Sequence, residues 1–177
     1  MNLPNKLSVA RVACVPLIVL LLYLPGDGCR IAAGILFIIA SLTDFLDGRI
    51  ARKNNLITDF GKFIDPVADK LLVLTTLIML LHRQQMEAWI IIVILSRELA
   101  VDGLRMVAVG QGKVIAASMF GKVKTTCQMF LIIACILLNQ HVYGAWYMIV
   151  LTVLAVGMTL FSAVDYFMKN RSVFTSM

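Results

Sequence analysis

The chain has 177 residues, 60% of them hydrophobic, and a mean hydropathy of +0.91. An ordinary soluble domain is about 45–50% apolar, so composition excludes a water-soluble globule and indicates a membrane protein, and the long apolar runs make it an all-α integral membrane protein. The net charge of +6 has no basic face on a soluble element to serve; nucleic acid is excluded as a partner, and the Lys and Arg fall to the cytoplasmic ends of spans and to anionic membrane lipids.

The length leaves no room for a separate soluble domain, so residues 1–177 read as a single membrane domain. A helix needs roughly 20 apolar residues to cross a bilayer, and six candidate transmembrane helices follow in order. The first runs from about Val9 to Leu24 and stops at the turn signal "PGDG". The start, "MNLPNKLSVAR", is not expected to be a secretory leader, because no small-residue cleavage site follows the apolar run, which ends in "YLPGDG". The second starts near Arg30 and runs into a cluster of aspartates. The third leaves that cluster as "KLLVLTTLIMLL". The fourth is "AWIIIVILSRELAVDGLRMVAV", apolar apart from Arg97, Glu98, Asp102 and Arg105. "GQGKV" reads as a loop, the fifth span covers about Thr125 to Leu138, and the sixth about Ala145 to Met168. Cys14, Cys29, Cys127 and Cys135 sit in or beside apolar runs without a CxxC pair and read as small core residues.

Orientation follows from charge. With the N-terminus cytoplasmic, the outer loops carry only Arg30 and Arg83 of the 16 Lys and Arg. That asymmetry puts the N- and C-termini and the aspartate stretch on the cytoplasmic side.

The aspartates are Asp44, Asp47, Asp59, Asp65 and Asp69, in "TDFLDGRIARKNNLITDFGKFIDPVADK". A carboxylate near mid-span costs about 2.5–3.5 kcal/mol even on the mildest scale, so basic partners, water or metal ions must compensate. Asp44 and Asp47 are three apart and Asp65 and Asp69 four apart, so each pair shares a helix face. Gly48 and Gly61 lie one turn along those faces and allow close approach of a helix or ligand. Four carboxylates across two helices suit hard divalent cations, and two such ions are a common apparatus for in-line attack on phosphorus. Pro66 predicts either a kink at Asp65 or a fresh helix starting at Pro66.

The run Asp44-x-x-Asp47-Gly48-x-x-Ala51-Arg52, eight residues, then Gly61-x-x-x-Asp65-x-x-x-Asp69 resembles the signature of the CDP-alcohol phosphatidyltransferases at every position. The resemblance implies six transmembrane helices, a homodimer, and a site facing the cytoplasm from the cell (inner or plasma) membrane. It implies Asp44, Asp47, Asp65 and Asp69 as ligands of two divalent cations, Mg²⁺ or Mn²⁺, with Asp69 as the base that deprotonates the acceptor alcohol. Gly48, Arg52 and Thr58 match positions that contact the CDP part of the donor, CDP-diacylglycerol.

Three further segments bear on the acceptor. In "NLPNKLSVAR", Asn5, Ser8 and Arg11 fall at three-residue steps. They either line the nucleotide side of the site or belong to an interfacial helix with a snorkelling Arg11. "SRELAVDGLRM" and "GKVKTT", with "FSAVDYF" near the end, resemble the members of the family that make phosphatidylglycerophosphate, which implies sn-glycerol 3-phosphate as acceptor. Its phosphate dianion wants several cations, and Arg97, Arg105, Lys122 and Lys124 are available. The alternative pairs Arg97 and Arg105 with Glu98 and Asp102 as buried ion pairs, and leaves Lys122 and Lys124 as positive-inside anchors. Asp165 is expected to pair with a basic residue across the bundle. Two other functions remain open: the same chemistry with inositol phosphate or phosphatidylglycerol as acceptor, and divalent-cation transport. A transporter would spread its acids along a path and show repeats; here they cluster at one end of two adjacent helices.

Overall fold

The structure is a computed structural model describing residues 3–53, 59–112, 115 and 118–171; the side chains of 3–6, 44–53, 59–63, 65 and 66 fall outside the description. Among the described residues six helices follow in order: α1 Leu3–Tyr23, α2 Asp27–Lys53, α3 Asp59–His82, α4 Ala88–Gly110, α5 Met119–Leu138 and α6 Trp146–Lys169.

Each predicted span has its helix, and most begin earlier than hydropathy alone indicates. α2 begins at Asp27, whose carboxylate sits in the positive first turn and accepts from Arg30 Nη2 at 2.8 Å. α5 begins at Met119 because Ser118 caps it: its Oγ accepts the Gly121 N–H at 3.1 Å. α3 runs unbroken from Asp59 through Pro66, so no fresh segment starts at the proline. The turn between α1 and α2 needs Gly26, whose φ of +112° is closed to other residues. "GQGKV" does follow the end of α4, as a turn at Gln111 and Gly112, with Lys113 and Val114 outside the described residues.

The helices form two compact units: Met1–Gln84 with Ile132–Asn139, and Gln85–Leu131 with Gln140–Met177. In the first, α1 packs against both α2 and α3. Ile18 and Leu22 of α1, Phe37 of α2, and Leu72 and Leu77 of α3 are buried there. The two basic residues expected on the outer side both have helix-capping roles. Arg30 Nη1 donates to the carbonyls of Ile136 and Leu137 at 2.5 and 2.6 Å, at the end of α5. Arg83 Nη1 donates to Leu22 O at 2.8 Å, at the end of α1. Each guanidinium satisfies orphan carbonyls at a negative helix terminus. Beside Arg30, Gly34 leaves room for the α5 end; a Cβ there would lie 2.7 Å from Leu137 Cδ2.

In the second unit α4 packs against α6. The buried face of α6 is Met148, Thr152, Ala155, Thr159, Ser162 and Tyr166, mostly small or hydroxylated residues that let helices approach closely. Gln128 Nε2 of α5 donates to Thr159 Oγ1 at 2.9 Å. The loops before α4 and α6 are tied together: Val142 N donates to Gln85 O at 3.0 Å, and Trp89 Nε1 to the Tyr143 hydroxyl at 3.1 Å.

The distribution of polarity is inverted relative to a water-soluble protein. Ile31, Ile35, Ile39 and Leu42 form an exposed stripe on α2, and Val153, Leu160 and Val164 one on α6, while Lys124, Gln128, Thr159 and Ser162 are buried. Such continuous apolar faces need a nonaqueous surrounding. Among the described residues, Met119–Leu138 and Trp146–Lys169 are long and apolar enough to cross a bilayer, and Leu7–Tyr23 is a shorter apolar helix.

The chain's two tryptophans, Trp89 and Trp146, are both exposed and both stand in the first turn of a helix, α4 and α6. Indoles favour the headgroup level of a bilayer. In lipid vesicles, tryptophan emission is expected to be quenched most by lipids brominated near the headgroup end of the acyl chain. Strongest quenching by deep bromines would place these helix ends elsewhere.

Candidate active site

The aspartate motif divides between two consecutive helices of the first unit. α2 carries Asp44 and Asp47 in its C-terminal half; α3 carries Asp65 and Asp69 in its N-terminal half. Residues 54–58 join the two ends, so the helix termini lie within about 20 Å of each other by chain reach alone. Both pairs sit in unbroken helix, where three- and four-residue spacings keep each pair on one face. Of the four, Asp69 has its side chain described. It is partly buried, and its Oδ1 is shielded from solvent on the turn that also buries Ala68, Leu72 and Val73. The side chains of Asp44, Asp47, Gly48, Arg52, Asp65 and Asn5, and Thr58 altogether, lie outside the described residues.

α1 brings a polar face to the same unit. Ser8 and Arg11 are each 2% exposed, on the side of α1 that also buries Val15, Ile18 and Leu22. Of the three-residue steps expected for this segment, Ser8 and Arg11 therefore mark an inward face. A snorkelling Arg11, which would hold its guanidinium in water, is overturned, because the side chain is buried.

The donor set fits a hard divalent cation. Carboxylate oxygens are its preferred ligands, and the motif supplies them from rigid helix. Among the described residues no group of three or more His, Cys, Asp or Glu is gathered; three of the four aspartates are outside that set. All four cysteines are free; Cys135 is buried as expected of a core residue, whereas Cys14, Cys29 and Cys127 are only partly buried.

The cations assigned to an acceptor phosphate are all in the second unit, in three different settings. Glu98 Oε1 accepts from Arg97 Nη1 at 3.2 Å and also from Lys124 Nζ, across 26 residues of sequence. The three side chains are 9%, 14% and 4% exposed for Arg97, Glu98 and Lys124. The shared carboxylate offsets part of the cost of burying the two cations. Gly121, in the first turn of α5, lies beside Arg97; a Cβ there would make an ordinary contact, 3.6 Å from Arg97 Nη2. Lys122 is exposed. Arg105 bonds to a residue the sequence did not single out: its Nε donates to the Tyr166 hydroxyl at 2.9 Å.

Two expectations therefore change. Arg97 does meet Glu98, but the third member is Lys124, so this lysine has a buried carboxylate partner and is no surface anchor. Asp165 finds its partner on its own helix: Lys169 Nζ lies 2.8 Å from Oδ1, one turn on, because an i,i+4 pair near a helix C-terminus needs no second helix. The Glu98–Lys124 contact had no local signal in the sequence. Tyr166 had one, since it continues the α6 face of Thr152, Thr159 and Ser162 by helical spacing.

The family model of the CDP-alcohol phosphatidyltransferases matches residues 1–161. Several relatives carry the name CDP-diacylglycerol–glycerol-3-phosphate 3-phosphatidyltransferase. One from Bacillus subtilis is 46% identical over 96% of this chain and 95% of its own length. One from Rickettsia typhi is 39% identical over 98% and 99%, and one from Shigella flexneri serotype 5b is 36% identical over 97% and 96%. With the complete aspartate motif on α2 and α3, and with matches of this extent, the chain belongs to the CDP-alcohol phosphatidyltransferase family.

Proposed function

We infer that this protein transfers the phosphatidyl group of CDP-diacylglycerol to sn-glycerol 3-phosphate, giving phosphatidylglycerophosphate and CMP, a step of phospholipid biosynthesis. The observation that carries this is the 46% identity over almost the whole chain to a relative of that name. The intact motif from Asp44 to Asp69 stands beside it.

The chemistry follows from the residues. Asp44, Asp47, Asp65 and Asp69 would hold two divalent cations, Mg²⁺ or Mn²⁺. Bound there, such ions supply charge neutralisation for the donor's pyrophosphate and for the oxygens that attack and leave. Arg52, with Gly48 and Thr58, contacts the CDP portion, and its planar fork matches phosphate oxygens. Asn5 and Ser8 line the nucleotide side; the inward burial of Ser8 favours that assignment. Asp69 takes the proton from the acceptor hydroxyl. The oxygen forms its bond to the phosphorus that bears diacylglycerol, and the bond from that phosphorus to the CMP oxygen breaks. CMP departs with the electron pair. Asp69 is a weak base, effective through its position against the hydroxyl.

Arg97, Arg105, Lys122 and Lys124 make the receiving surface for the acceptor phosphate. Arg105 and Lys122 are the more open pair, while Arg97 and Lys124 act as a cationic group held by Glu98. The protein sits in the cell membrane as a homodimer, each chain crossing six times with both termini and the site on the cytoplasmic side. The exposed apolar stripes and the paucity of basic residues near Arg30 and Arg83 support this topology.

The test is acceptor choice. Purified protein with CDP-diacylglycerol and Mg²⁺ or Mn²⁺ is expected to release CMP with sn-glycerol 3-phosphate. Inositol phosphate and phosphatidylglycerol are expected to give none above background. Release with either of those alone would reassign the acceptor; ion flux in vesicles with no CMP release at all would reject the enzyme reading.

A further inference from the structure

Arg105 of α4 and Tyr166 of α6 meet inside the second unit. The Arg105 Nε–H donates to the Tyr166 hydroxyl at 2.9 Å, and the guanidinium carbon lies 5.5 Å from the ring centroid. Tyr166 itself is 2% exposed and packs with Val101, Leu104 and Ala108 of α4. A ring held by that packing cannot swing, so its hydroxyl is a fixed point.

A guanidinium carries its N–H groups in one rigid plane. Holding Nε on the hydroxyl, with the guanidinium carbon beside the same ring, therefore restrains the plane that carries the four N–H bonds of Nη1 and Nη2. Among the described residues those two nitrogens donate no hydrogen bond. The bonded partner is a neutral phenol, so the contact orients the cation without cancelling its charge. Arg97 differs in this respect, since its Nη1 is on the carboxylate of Glu98. Asp165, next to Tyr166 in sequence, is engaged by Lys169.

We propose that Tyr166 is a positioning residue for the acceptor: it aims the Arg105 fork at the phosphate monoester of a small polyol. This rests on the reading of Arg105 as an acceptor-phosphate contact. Its consequence is selectivity for phosphorylated over unphosphorylated alcohols, because a fork aimed in advance gains its two parallel bonds only from a phosphate.

The test compares Tyr166→Phe, Arg105→Ala and the double variant by CMP release, with the KM of each substrate, kcat and the unfolding midpoint recorded. Phe keeps the ring and its packing and removes only the hydroxyl. Losing one orienting hydrogen bond is expected to raise the KM for sn-glycerol 3-phosphate about three- to tenfold in Tyr166→Phe. The KM for CDP-diacylglycerol and kcat should change by less than about twofold. Arg105→Ala should raise the acceptor KM further, and the double variant should match Arg105→Ala. An acceptor KM raised by Arg105→Ala but unmoved by Tyr166→Phe overturns the positioning role and leaves the function intact. An acceptor KM unmoved by Arg105→Ala removes Arg105 from the acceptor site. Equal damage to both KM values and kcat in Tyr166→Phe, with a lowered unfolding midpoint, reduces the contact to packing and overturns the proposal too.

Discussion

Replacing Asp69 by Asn is expected to lower kcat by about 10²–10⁴-fold, the range a positioned general base supplies, with CDP-diacylglycerol still bound. Asn has nearly the same shape and keeps the helix, so α3 and its buried neighbours Ala68 and Leu72 should be undisturbed. What it loses is the negative charge and the ability to take a proton. Two causes of a lower rate are then open: loss of the base and loss of a metal ligand. A Mn²⁺ titration separates them. If the base is what matters, the half-saturating Mn²⁺ concentration stays near that of the parent while kcat collapses. If ligation matters more, that concentration rises and excess metal restores much of the rate. Near-parental kcat at ordinary metal concentration would take Asp69 out of the reaction altogether.

Much of this molecule could be read from its sequence, for identifiable reasons. Spans are written in long apolar runs, and the backbone must satisfy its own hydrogen bonds in lipid, so helix was the only local solution. The helix starts were less legible. Ser118 extends α5 six residues ahead of its apolar run, and Asp27 opens α2 three residues early, because capping and charge–dipole contacts are made by polar residues that hydropathy discounts. The aspartate motif was legible because its spacings match one helix face each. The cationic side was less so. Arg97, Lys124 and Glu98 join across 26 residues, and nothing local in "SRELAVDGLRM" or "GKVKTT" states that Glu98 would serve both cations. Arg30 and Arg83 illustrate the same limit: charge asymmetry singles them out as exceptions, and only the fold shows that each closes the end of a helix.

Removing the carboxylate of Glu98 is expected to destabilise the protein more than removing either cation. In Glu98→Ala the side chains of Lys124 and Arg97, 4% and 9% exposed, would be left side by side without their shared acceptor. Taking one partner from a buried pair costs about 3–5 kcal/mol, because a charge remains in a medium that solvates it poorly. Replacing Glu98 and Lys124 together by Leu and Met should recover a large part of that loss, since apolar groups of similar size need no counter-charge. The recovery should be incomplete, because Arg97 Nη1 still lacks its acceptor and its Nε is already a buried donor without a bond. Unfolding in detergent or mild denaturant, read for the parent, Glu98→Ala and the double variant, supplies the comparison. A Glu98→Ala protein as stable as the parent would mean that the two cations find other neutralising groups. The same three proteins bear on binding. If Lys124 and Arg97 receive the acceptor phosphate, sn-glycerol 3-phosphate should stabilise the parent and not the double variant, because a ligand raises stability only where the folded state binds it. Equal stabilisation of both would leave Lys124 as a purely structural cation and shift the burden of phosphate recognition to Arg105 and Lys122.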